Sequence, residues 1–117
     1  MPSEDNRRAS ALRDILENID AARRFVTGLD FDKFVENQEK IYAVTRALEI
    51  VSEASRHIPD DIRSRHPAIA WQQIKAAGNI YRHEYRGIDL RIVWDTVQKH
   101  LESLRQMAEE ELARGSA

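Results

Sequence analysis

The sequence predicts an all-α protein: an antiparallel up-down bundle of four main helices with short helical turns between them. Three observations carry this. Apolar residues recur at spacings of three and four along most of the chain, the period of a one-sided helix. No stretch alternates as a strand would. Only four Gly and three Pro occur in 117 residues, and they are scattered rather than clustered.

The first helix is predicted over about 8–27, with Leu12, Ile15, Ile19, Ala22 and Val26 as its stripe and Phe25 widening the end. Gly28 can end it, because Gly adopts the left-handed cap conformation at no steric cost. Asp30 can then cap a second helix, predicted as one long element over about 31–57. Its stripe is Phe34, Ile41, Val44, Leu48 and Val51, with Tyr42, Ala43, Ala47 and Ile50 off the main line. That surplus apolar surface favours burial against a second copy of the chain, or against a third helix.

Pro59 stops the pattern, and "PDDIRSRHP" reads as a short helical turn closed at Pro67. Trp71, Ile74 and Ala77 begin a further short helix that runs into "GNIYRHEYRGID". Gly87 breaks the chain and Asp89 is a suitable N-cap. The last helix is predicted over about 90–113, with the stripe Val93, Val97, Leu101, Leu104 and Ala108. Trp71 and Trp94 read as core anchors. The whole is one domain of 117 residues, long enough for one core without metal or disulfide staples.

Composition removes several function classes. There is no cysteine, so structural disulfides, thiolate metal sites and a cysteine nucleophile are excluded. His57, His66 and His100 lack the spacing of a zinc site, and neither a metal nor a cofactor is expected. No apolar run has the length of a signal peptide or a membrane span, so a cytoplasmic protein with no membrane partner is expected. Net charge is −2, which excludes a uniformly basic nucleic-acid binder. Charge is unevenly spread, however. Between Arg56 and Arg91 seven Lys/Arg stand against four Asp/Glu, a local excess of three positive charges that can attract phosphate.

The junction at 78–89 holds the densest chemistry. His83, near a helix end, can titrate near neutrality as a general acid or base. Arg82 and Arg86 offer planar cationic forks suited to phosphate oxygens. Tyr81 and Tyr85 can stack on a base or hydrogen-bond a phosphate. Asn79, four residues before His83, can orient the imidazole or cap the helix. Together His, Arg and a phenol can cleave an RNA backbone without metal, the arginine stabilising charge on the phosphorane oxygens. A solvated helix terminus with packed tyrosines would have the same composition. Arg46, Glu49 and Glu53 form a polar stripe on the second helix. It reads either as internal ion pairing or as a face turned toward His83.

Four stretches, "RALEIVSEAS", "RHPAIAWQQIKAAGN", "RHEYRGID" and "IVWDT", resemble the HepT-like family of the HEPN superfamily in their order and spacing, over roughly residues 10–106. The resemblance implies a helical bundle that dimerises with its motif regions close together. It implies a metal-independent ribonuclease toxin with an R-x4-H-x-Y motif. It further implies a nucleotidyltransferase antitoxin that silences the toxin by attaching AMP to the motif tyrosine. His83 matches the motif histidine, Tyr85 the modified tyrosine, and Asn79 the polar residue after the motif arginine. At that arginine's own position this chain has Gly78. Two expectations follow. In one, Arg82, four residues on, supplies the cation and Gly78→Arg changes cleavage little. In the other, the chain is a non-catalytic dimeric binding module.

Overall fold

A computed structural model describes residues 3–83 and 90–115, with side chains described as far as Gly78 and again from Leu90. Among the described residues all regular structure is helical. The long first helix, α1, spans Glu4–Val26. It starts a turn earlier than the apolar stripe requires, because the Ser3 hydroxyl accepts from the Asn6 amide at 3.1 Å and caps the N-terminus. Gly28 follows it with φ +81°, the left-handed turn expected there.

The single second helix expected over 31–57 is two helices. α2 spans Phe31–Glu36 and α3 spans Gln38–Ser55. Asn37 stands between them in an extended conformation, and its side chain accepts from the Lys40 amide at 3.1 Å. A short amide side chain that bonds backbone ahead of it ends one helix and starts another. Asp30 caps α2 as expected, accepting from the Lys33 amide at 2.8 Å.

α4 (Asp60–Arg65) is the short turn between the prolines, and α5 (Trp71–His83) carries the start of the motif. The expected last helix is also subdivided. α6 (Leu90–Asp95) passes through one π-helical turn, Thr96–His100, into α7 (Leu101–Gly115). The wider turn has a packing reason. Val93, Val97 and Leu101 are spaced by four twice in succession, and an added residue keeps all three on the buried side. The expected caps at Gly87 and Asp89 lie outside the described residues.

The helices close a ring: α1 packs on α3 and α7, α3 on α5, and α5 on the π-helical turn. Every residue of the α1 stripe is buried, as are Phe34, Ile41, Val44, Leu48 and Val51. Phe34 and Trp94 meet at 5.3 Å between ring centroids, which fastens α2 to α6. α1 and α7 run antiparallel, held by Asp20–Arg105 at 2.8 Å and Arg23–Glu102 at 2.7 Å.

At the end of the bundle formed by the start of α1 and the end of α7, one carboxylate gathers several cations. Glu111 Oε1 accepts from Arg65 at 2.6 Å, and His66 Nε2 lies 2.8 Å from Oε2. Arg114 approaches to 3.4 Å. The Glu111 side chain is only 2% exposed. The Arg65 hydrogen bond dominates and holds its pKa down to about 2, against the penalty of burial.

This network sets an acid limit on stability. The folded pKa of Glu111 lies below its ordinary value of 4.5. Its stabilisation is therefore complete above pH 4.5 and is lost as pH falls toward 2. Glu111→Gln is expected to cost about 3 kcal/mol at neutral pH and to flatten the acid limb. Urea unfolding curves across that pH range measure both effects.

Candidate functional site

Asn79, Tyr81, Arg82 and His83 lie in the last five residues of α5, and His83 is the final helical residue. Tyr85 and Arg86 lie outside the described residues. What positions this segment is the contact just before it. Gly78 is buried where α5 crosses α3. A Cβ at position 78 would lie 2.3 Å from Ser52 Cβ, 2.6 Å from Ser52 Oγ and 3.3 Å from the Leu48 carbonyl oxygen. No side chain fits there without moving one helix off the other.

A glycine inside a helix costs about 1 kcal/mol relative to alanine, so it needs a compensating reason. Close approach to Ser52 supplies one. Sequence reading treated position 78 only as a missing arginine and did not single out Ser52. Its signal was the small polar residue set in the apolar run of α3, facing a glycine whose partner helix could not be known.

The contact gives Gly78→Arg a packing cost of its own. An arginine at 78 would start from a Cβ already in collision with α3. Position 78 leaves no room for a guanidinium in this packing. Arg82 is one helical turn further along α5.

The polar stripe of α3 has a defined place. Arg46 pairs with Glu49 at 3.1 Å. With Glu53 they line a groove of about 360 Å³ whose other wall is Arg7, Ser10 and Asp14 of α1. No described side chain of α5 lines that groove. Glu49 Oε2 is buried there without a hydrogen-bond partner among the described residues. Tyr42, on the same helix, is 45% exposed. Among the described residues no group of three or more His, Asp or Glu could hold a metal ion. No described helix is long and apolar enough to cross a membrane.

Comparison with known proteins matches residues 15–111 to the family model described as "Ribonuclease HepT-like". A Methanocaldococcus jannaschii protein named "Putative RNase MJ1380" is 37% identical over 98 residues, covering 84% of this chain and 90% of its own. The Thermococcus cleftensis protein named "Probable ribonuclease HepT" is 37% identical over 94 residues, covering 80% of this chain and 86% of its own. A Caldanaerobacter subterraneus relative named "Putative RNase TTE0752" is 31% identical over 103 residues, with 88% and 92% covered. No solved structure matches.

The crossing makes a signed prediction. Helix propensity alone favours Gly78→Ala by about 1 kcal/mol. The Ser52 contact reverses the sign, and a net loss of about 1–3 kcal/mol is expected, as for overpacked cores. Ser52→Gly combined with Gly78→Ala should recover part of it. Urea denaturation of the two single variants and the double variant gives the coupling directly.

Proposed function

This chain belongs to the HepT-like ribonuclease family, and from that premise we propose that it is a metal-independent ribonuclease, the cytoplasmic toxin of a toxin–antitoxin pair. The observation that carries the reading is the family match over residues 15–111, with His83, the last residue of α5, and the sequence "RHEY" inside it. His83 takes a proton from the ribose 2′-OH or returns one to the leaving 5′-oxygen. Arg82 stabilises the charge that builds on the phosphoryl oxygens. The packing of Gly78 on Ser52 supports that assignment, because position 78 has no room for the guanidinium. Asn79 positions the imidazole, while Tyr81 and Arg86 contact the RNA.

Tyr85 is the site at which a nucleotidyltransferase antitoxin attaches AMP. The added bulk and negative phosphate beside Arg82 and Arg86 would repel an RNA strand. The active form is a homodimer. Tyr42, exposed on the same helix as the Arg46–Glu49 pair, supports α3 as part of its interface.

A second reading draws on the same glycine. A chain without the motif arginine could keep the scaffold and partner binding but not the chemistry. Inducible expression of the chain alone separates the two. As a toxin, the wild type arrests growth and His83→Ala, equally soluble, does not. In vitro, His83→Ala is expected to slow cleavage by about 10²–10⁴-fold, the range of acid–base catalysis. Arg82→Ala is expected to cost about 10²–10³-fold, and EDTA is expected to leave the rate unchanged. Wild-type expression without arrest and without cleavage would favour the binding module.

A further inference from the structure

Among five grooves formed by the described residues, one differs in charge. It has a volume of about 310 Å³ and lies where the start of α5 meets the end of α3. Arg56, Arg63 and Lys75 line it, with Trp71 and Gln72, and no carboxylate of the described residues does. Each of the other four grooves has at least one Asp or Glu in its wall. In a chain of net charge −2, three cations around an acid-free groove are a local departure.

The charges there are weakly compensated. Arg63 donates to the Ser55 carbonyl at 2.6 Å and the Ile58 carbonyl at 3.1 Å, and lies over the Trp71 ring at 4.5 Å. Those partners are neutral, so the guanidinium is fixed in place with its charge intact. Among the described residues Arg56 meets one carboxylate, Glu53, at 3.7 Å, and both side chains are about half exposed. A pair so exposed is worth little and is readily exchanged for a better anion. Lys75 is exposed and has no ion-pair partner among the described residues. The Trp71 indole Nε1 is buried without a hydrogen-bond partner among the described residues, an N–H donor of the kind usually satisfied.

The groove is also aligned with the motif. Positions 75, 79 and 82 follow at spacings of four and three and share one face of α5. Eight residues of helix separate Lys75 from His83, a rise of about 12 Å along the axis. A strand lying along that face would carry one phosphate at His83 and another, a few nucleotides away, over the groove.

We propose that the groove formed by Arg56, Arg63 and Lys75 is a phosphate-binding subsite for single-stranded RNA, holding the strand's backbone away from the scissile bond. The subsite rests on the ribonuclease reading for its substrate class. It binds backbone rather than bases, because Trp71 is half buried against the core and Arg63 already lies over its ring.

The test uses the full chain carrying His83→Ala, so that RNA is bound and not cut. Fluorescence anisotropy with a labelled ten-nucleotide single-stranded RNA is followed across salt concentration, with and without Arg56→Gln and Lys75→Gln together. The double change is expected to weaken Kd about three- to tenfold and to reduce the salt slope by about one. Lys33→Gln, an exposed lysine change on α2, serves as the control and should alter neither. Helical circular dichroism confirms that the variants are folded. With His83 restored, the same pair of changes should raise KM for the ten-mer more than it lowers kcat.

An unchanged Kd and slope, in a chain that still cleaves RNA, would overturn the subsite and leave the ribonuclease reading standing. A reduced slope in a wild-type chain that never cleaves would support the subsite as an RNA contact and overturn the ribonuclease reading. Failure of the unmodified groove to bind RNA at low salt would overturn both.

Discussion

α5 lies tight against α3 where Gly78 meets Ser52, and the geometry of the candidate site hangs from that crossing. Interiors are packed densely enough that a single Cβ cannot be absorbed at such a point. With Cβ-to-Cβ room of only 2.3 Å, any side chain at 78 would lift α5 from its partner helix. The last five residues of α5, which include His83, follow directly from this anchor. The absent arginine and the tight crossing are therefore one fact, seen first as chemistry and then as packing. An arginine restored at 78 would unseat the helix.

The remaining polar contacts fix the frame to which this crossing belongs. Asp20–Arg105 and Arg23–Glu102 hold the last turns of α1 against the start of α7. Glu111, with Arg65 and His66, ties α4 to the end of α7. α4 in turn supplies Arg63, whose bonds to the Ser55 and Ile58 carbonyls close the end of α3. The acid-free groove thus stands on the braced end of the bundle, and the motif lies further along the same helix. On the proposed reading, a basic face leading toward His83 would be an economical way to bind a flexible polyanion. Ordering is required of the RNA and not of the protein.

Much of the fold was legible in the chain itself. The stripe of α1, the cap at Asp30, the left-handed turn at Gly28 and the turn between the two prolines all follow from local rules. What misled was continuity. The apolar stripe runs unbroken through Asn37, so the sequence reads as one helix; the side chain of Asn37 nevertheless turns back to the Lys40 amide and splits it. The stripe from Val93 to Leu101 likewise conceals a π-helical turn, because spacings of four are compatible with either winding. Of the site, spacing and composition singled out Asn79, Tyr81, Arg82 and His83. They could not reveal that Arg46, Glu49 and Glu53 face α1 across a groove.

The sequence by itself determined the helical class, the stripes that become the core, and the crowding of His, Arg and Tyr at one helix end. Each of these depends on residues within a few positions of one another, where helical period and capping chemistry decide the outcome. Only the tertiary structure decided why position 78 is glycine and how three cations from three segments meet around Trp71. Those features join residues that are far apart in the chain. They are set by how closely two helices approach, and a one-dimensional pattern holds no measure of that distance.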